Sequence, residues 1–356
     1  MSVKKKKDSD NKKGKTGRKK LVFSKSWSFL WKYKKVIFSA CLSTILSLFI
    51  MLYFFSRSYA ISMVKNQFDV LEKDLQSIGY DFAYDNVDFY LFSPWQIMRA
   101  KNFRIYALDA NNFKQINFEE LNINVSPLNI EKIKIFTGSK VSLQEGSREY
   151  PVVIDDSDIT IRIKNGEFKE LYAIVKDINV KHLLSVNSIL LQLRQDEHSS
   201  FAAIFDVKSI VLDDMTGWPL NKKIEHIQAL ASLYGSFDND VTLGEAFYDW
   251  VDKGGYLAIH KGILNWKPLI MVTNGSVKFN EKAEANVSLN SASLALMETV
   301  EALSKNKLIS NKGAFVVKLL LNNKAVKQNV SDKYETVISP IRINNEGLFL
   351  ENIKLR

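Results

Sequence analysis

The chain carries four histidines and one cysteine, and their spacing decides whether they could do chemistry together. His182, His198, His226 and His260 stand 16, 28 and 34 residues apart. None has the i, i+4 partner that puts two metal ligands on one helix face. A solitary histidine in a strand is usually a surface or core side chain. Cys41 lies inside an apolar run, where a thiol acts as a small apolar group, and a single cysteine excludes an intramolecular disulfide. No G-x-S-x-G, H-E-x-x-H, Walker A or G-x-G-x-x-G occurs. The residues therefore point to a protein without catalytic machinery and without a cofactor.

Two acidic clusters have residue types that could ligate calcium. Asp155-Asp156-Ser157-Asp158 stands at a strand entry, and Asp238-Asn239-Asp240 with Glu245 lacks the glycine and twelve-residue register of a calcium loop. Both read better as turns, where Asp and Asn bond their own backbone. Asn124, Asn274, Asn286 and Asn329 open N-x-S sequons, which matter only in a eukaryotic lumen.

The elements that would position any site begin with an anchor. The net charge of +10 is concentrated in residues 1–35, which hold 14 basic and 2 acidic side chains. The remainder holds 35 basic against 37 acidic, so the folded part offers no basic face for nucleic acid. The tail 1–35 reads as a solvated topology signal. Val36 to Phe55 is twenty residues without a charge, enough at about 1.5 Å each to cross about 30 Å of hydrocarbon. Lys32, Lys34 and Lys35 precede it and only Arg57 follows at once, which holds the N-terminus in the cytoplasm. Trp27, Trp31 and Tyr33 on one side, and Tyr53, Phe54 and Phe55 on the other, fit interfacial aromatic belts. Ser58-Tyr59-Ala60 has the look of a cleavage site. The length of the run and its long leader nonetheless favour an uncleaved anchor at 36–55.

Residues 56–79 follow as an amphipathic stalk helix. Ile61, Val64, Phe68, Leu71, Leu75 and Ile78 are spaced for one helix face, ending at Gly79. From residue 80 the period falls to two, which predicts antiparallel strands at 82–92, 96–107, 118–126, 130–138, 157–166, 168–181, 201–212, 223–235, 255–266, 275–280, 284–292, 313–323 and 348–355. Two helices interrupt them. One is capped by Thr242 and Glu245, carries Phe247, Trp250 and Val251, and stops at Gly254-Gly255; the other spans about 293–305. The fold class is mainly β, an extended, curved antiparallel sheet with a few helices behind one transmembrane helix, in a first β-rich part (80–240) and a second (241–356).

The stretches YDNVDFYLFSPWQIMRAKNFRIYA (84–107) and FEELNINVSPLNIEKIKIFTG (118–138), after an anchor and an amphipathic helix, resemble the opening of AsmA-like bacterial envelope proteins. AFYDWVDKGGYLAIHKGILNWKPLIMVTNGSVKFN (246–280) is similar to an uncharacterised single-anchor alphaproteobacterial family through Trp250, Gly254, Gly255, Trp266 and Gly275. Lys267 departs from that pattern, where a glycine is expected. The resemblance implies a curved sheet with an apolar concave side suited to acyl chains, in a protein of envelope lipid or outer-membrane homeostasis.

Phe82, Tyr84, Val87, Phe89 and Leu91 form one candidate lipid-facing surface, and Ile159, Ile161 and Ile163 another. The same alternation would serve a closed β-sandwich. Three readings follow. The first is an inner-membrane-anchored, non-enzymatic periplasmic protein that binds or handles lipids. The second is an envelope scaffold or assembly factor that binds another protein through its sheet and through aromatics such as Trp218 and Trp266. An anchored hydrolase ranks last.

Overall fold

A computed structural model describes residues 23–93, 95–109, 114–126, 129–164, 167–196, 201–213, 220–237, 241–280, 282–307, 309, 311–324, 336–345, 347–350 and 353–354. His198, Trp218, Asp238-Asn239-Asp240, Asn329 and most of the basic tail lie outside them.

The chain divides into two units, residues 1–55 and 56–356. The helix α1 (Phe23–Ser77) runs through the division without a break and carries both the expected anchor and the expected stalk segment. The reason is compositional: residues 23–77 contain no glycine and no proline to interrupt it. Its described part from Leu42 is long and apolar enough to cross a membrane. In the first unit Leu42, Ile45, Phe49 and Met51 are all exposed, as a lipid-facing helix requires.

In the second unit one antiparallel sheet takes in all the described strands. β1 (Tyr80–Ala83) and β2 (Asn86–Phe89) both pair with β3 (Gln96–Ala107). The single strand expected at 82–92 is thus two, and the sequence carries the cause. Its apolar positions are even at Phe82 and Tyr84 and odd at Val87 and Phe89, a phase slip that one extended strand cannot hold. At the bend Asp85 accepts from Asn102 at 2.7 Å and from Arg104 at 2.8 Å.

β4 (Lys114–Ser126) pairs with β3 and then divides, its C-terminal half meeting β5 (Asn129–Thr137) and its N-terminal half β6 (Lys140–Glu145). β6 continues to β7 (Arg148–Val153) and β5 to β8 (Asp156–Lys164), and both rows end on β9 (Glu167–Val180). A plain meander follows through β10 (Leu184–Gln195), β11 (Phe201–Leu212), β12 (Lys223–Tyr234), β13 (Tyr256–Trp266), β14 (Leu269–Phe279), β15 (Ala285–Leu294), β16 (Thr336–Asn344), β17 (Gly347–Leu350) and β18 (Ile353–Lys354). The ladder passes residue 240 through β12 and β13, so the two β-rich parts share one sheet.

Helix α2 (Leu243–Asp252) joins β12 to β13 and starts with the expected capping box of Thr242 and Glu245. Between β15 and β16 stand α3 (Leu296–Lys305) and α4 (Asn311–Lys324). The strand expected at 313–323 is therefore wrong: this segment is α4. Ala314 and Val317, three apart on one helical face, are buried with Val300 and Leu350, and Leu303 packs against them. Tertiary packing decides an apolar run too short for its period to be distinctive.

The largest core cluster lies where α1 rests on the sheet. Ala60 and Val64 of the helix meet Ile97, Met98, Ala100, Phe103, Ile123, Val125 and Ile133. Of the stripe predicted for the stalk, Val64 is buried and Ile61 and Phe68 pack on this cluster, whereas Leu71 and Ile78 are exposed. Arg57, fully buried, fixes the near end of the contact. It donates to the carbonyl oxygens of Tyr90 at 2.8 Å and Val125 at 3.3 Å, and to those of Trp95 and Gln96. At the far end Gly79 receives the Leu108 amide on its carbonyl, so α1 runs along β3 from Gln96 towards Ala107.

Candidate apolar binding face

Side chains directly opposite one another in neighbouring strands point to the same face, so the register of the ladders traces rows across the sheet. One row runs Val125, Ile133, Ile161, Leu171, Leu193, Ala203, Ala231, Ile259, Gly275, Leu289, Ile341 and Leu350. It crosses from β4 to β17 without one polar side chain. The row beside it runs Met98, Ile123, Ile135, Ile159, Ala173, Leu191, Phe205, Ala229 and Gly262 before reaching Thr273. A third runs Val175, Ile189, Val207, Ile227, Leu264 and Met271.

The opposite face differs in kind. There Thr160, Tyr172, Gln192, Ile204 and Leu230 form one row, and Arg162, Glu170, Arg194, Ala202 and Ser232 another. Polar groups are interspersed throughout, as on a sheet that turns one side to water.

Burial divides the apolar face into covered and uncovered parts. Beneath α1 it is core. From β9 to β14, Val207, Ala231, Gly262 and Thr273 of the three rows are buried; Leu171, Leu191, Leu193, Ile189, Ile227 and Ile259 are half-buried, and Phe205 is 40% exposed. A second sheet packed on this face would bury them, as the interior of a β-sandwich is buried. An apolar row this continuous and only partly buried is a candidate binding surface.

α2 borders the face. Its Trp250 is buried, donates its indole N–H to the Tyr234 carbonyl at 2.9 Å, and stacks on Phe237 with ring centres 5.3 Å apart. Gly255 lies under the ring: a Cβ there would come within 2.3 Å of it. The start of α2 is tied to the end of α1, with the Leu243 N–H donating to Asp74 at 3.0 Å and the Gly244 N–H to Ser77 Oγ at 2.9 Å.

The residues singled out in the sequence fall as follows. Phe82, Val87, Phe89, Ile161 and Ile163 pack against the cluster under α1. Tyr84 is exposed, Leu91 is half-buried in the bend after β2, and Ile159 stands in the second apolar row. The two surfaces predicted separately thus meet around one helix-covered core, and Ile159 and Ile161 each belong to a row that runs on into the strands beyond it. In the second motif, Trp250 and Gly255 pack together, and Gly254 follows the C-cap of α2. Trp266 donates to the Asn221 carbonyl at 2.6 Å. Gly275 sits in the first row, where a Cβ would come within 2.0 Å of the Ser288 carbonyl oxygen. Lys267 pairs with Glu225 at 2.9 Å and holds that carboxyl below its ordinary pKa.

The titratable groups take local partners. His226 contacts Asp206 at 2.6 Å, and His260 contacts Ser232 Oγ at 2.8 Å on the polar face. His182 occupies a turn with φ +63°. Asp156 pairs with Lys176 at 2.9 Å and Asp158 with Lys134 at 3.3 Å. Among the described residues no group of three His, Cys, Asp or Glu is placed to hold a metal ion.

Sequence reasoning missed Leu191 and Leu193, because β10 was not recognised, and it missed Phe205 as a site residue although its strand was found. Arg57 was read only as a flanking charge. Its signal was present: Arg57, Ile61, Val64 and Phe68 fall on one helical face. Comparison of the chain with protein-family models, with curated proteins and with solved structures found no match.

Proposed function

We propose that this protein is a membrane-anchored, non-enzymatic lipid-binding protein of the AsmA-like kind, which holds acyl chains on the apolar face between β9 and β14. One observation carries the reading: polar-free rows cross many consecutive strands and remain uncovered. An acyl chain suits such a surface because each methylene removed from water contributes about 0.8 kcal/mol and asks for no hydrogen-bond partner. The anchor reading, with the N-terminus in the cytoplasm, puts the sheet in the periplasm of a bacterial inner membrane. There a lipid entering from the bilayer is a natural occupant.

The test is mass spectrometry of lipids retained by the full-length protein after purification, compared with a Leu191→Asp, Phe205→Asp variant. Retained lipid in the natural protein and its loss in a folded variant supports the reading; equal lipid in both overturns it. Retention of a protein in place of lipid, also lost in the variant, would favour the scaffold reading.

A further inference from the structure

We propose that helix α4 is a docking surface for an anionic lipid bilayer, with Phe315, Val316 and Leu319 entering the headgroup interface and nearby lysines meeting lipid phosphates. The inference concerns the end of the sheet at β16 and β17, and it is independent of what the apolar face between β9 and β14 holds.

α4 is apolar on two sides. Ala314 and Val317 turn inward and are buried with Val300, Ile309 and Leu350. At about 3.6 residues per turn, Phe315, Val316 and Leu319 fall on the other side of the same helix. There Phe315 is 64% and Leu319 51% exposed, and Val316 is exposed with them. A surface helix ordinarily turns a polar side outward, and a helix apolar all round is ordinarily buried. α4 does neither, so its outer side suits an apolar contact.

Charge separates the candidate occupants. Between Glu301 and Asp332 the sequence holds six lysines and no acidic residue, although residues 36–356 together hold 35 basic against 37 acidic side chains. Lys305 and Lys307 are exposed where α3 leads into α4, and Glu301, the acid that precedes them, is engaged by Lys318 of α4 at 2.5 Å. A second copy of the chain fits poorly, because a symmetric contact would set the same lysines against each other. An acidic protein would answer the lysines. Exposed apolar side chains on a helix among lysines are, however, the composition of a helix that lies in the interface of an anionic membrane. The chain's own candidate span brings it to a bilayer in the first place.

Nitroxide quenching tests the proposal. The full-length protein would carry one environment-sensitive thiol probe at Val316→Cys on α4 or at Tyr248→Cys on α2, in a Cys41→Ser background. It would be reconstituted in vesicles of phosphatidylethanolamine and phosphatidylglycerol, or of phosphatidylcholine alone, with nitroxide lipid labelled at the headgroup. The same vesicles are added in excess, so that contact with its own or with a neighbouring bilayer is scored. Tyr248, exposed on α2, is the control.

The expected result is a blue-shifted, quenched probe at position 316 in the anionic vesicles, little quenching there in phosphatidylcholine, and an unquenched probe at 248. A lysine near an anionic surface contributes about fivefold to binding, so Lys305→Glu with Lys307→Glu should weaken the contact by about 25-fold or more. Phe315→Ala with Leu319→Ala should also release the probe, and because alanine favours a helix the melting temperature should stand. A probe at 316 that behaves as the one at 248 does would overturn the proposal and leave an acidic protein as the occupant. Equal quenching at 316 in both kinds of vesicle would overturn the role of the lysines and the proposal with it. A blue-shifted probe that nitroxide lipid does not quench would mean that protein covers this side of α4, which overturns it as well.

Discussion

Arg57 donates to the carbonyl oxygen of Val125 at 3.3 Å across 68 residues of sequence, fastening the helix that leaves the apolar run to the C-terminal end of β4. The contact matters because it is made through backbone acceptors and is buried. Truncating the side chain removes a donor from carbonyls of the β2–β3 bend and of β4.

Arg57→Ala should therefore destabilise the protein by about 3 kcal/mol, the order expected for losing charged hydrogen bonds at a buried site. Arg57→Lys should recover part of the loss, since an ammonium reaches fewer carbonyls than the guanidinium fork. Thermal unfolding of the full-length protein in detergent measures both. A loss under 1 kcal/mol for the alanine variant would show that the helix is held by its apolar stripe alone.

Gly255→Ala places a methyl where the Trp250 ring lies, and overpacking of this kind costs about 1–3 kcal/mol. Displacement of α2 should expose Trp250 and shift its emission to the red. Unchanged emission and stability would mean that α2 is free to move away without consequence.

A lysine separates the covered from the uncovered face. Ile97→Lys buries an unpaired charge under α1, where Ile97 is 0% exposed, and should cost several kcal/mol. Phe205→Lys, at a position 40% exposed, should melt within about 1 kcal/mol of the natural protein. Equal collapse of both variants would show that the face between β9 and β14 is closed.

Glu120 gives the pH dependence. Asn122 donates to it at 2.6 Å and Arg99 pairs with it, and these hydrogen bonds hold its pKa below the ordinary glutamate value. A lowered folded pKa stabilises above the unfolded pKa and is lost as pH falls through the folded value. Glu120→Gln should therefore narrow the difference in melting temperature between neutral and acid pH. An unchanged difference would mean that the Arg99 pair is too well solvated to matter.

Much of the sheet was legible because its strands alternate in period two: β3 and β11 coincide with their predicted spans. β10 escaped because Leu190 and Leu191 put apolar side chains on both faces, which erases alternation. β16 carries Pro340, which demotes a strand on sight. α4 differs from the expected strand because Ala314 to Leu321 is a short run, apolar but for Lys318, with two valines, a composition shared by strands. The face itself was illegible for a deeper reason. Sequence shows which residues alternate along a strand, but the rows that join Leu193 to Ala203 and Ala231 to Ile259 depend on register and on the bulge at Leu230 and Ala231, which no single segment encodes.

The uncovered rows are tested most directly by photo-crosslinking in living cells, with benzoylphenylalanine placed at Phe205 on the apolar face or at its neighbour Ile204 on the polar face of the full-length protein. Lipid adducts, identified by mass spectrometry, should form from position 205 and be absent from position 204. Adducts at neither position, or equally at both, would contradict the claim that this face holds acyl chains.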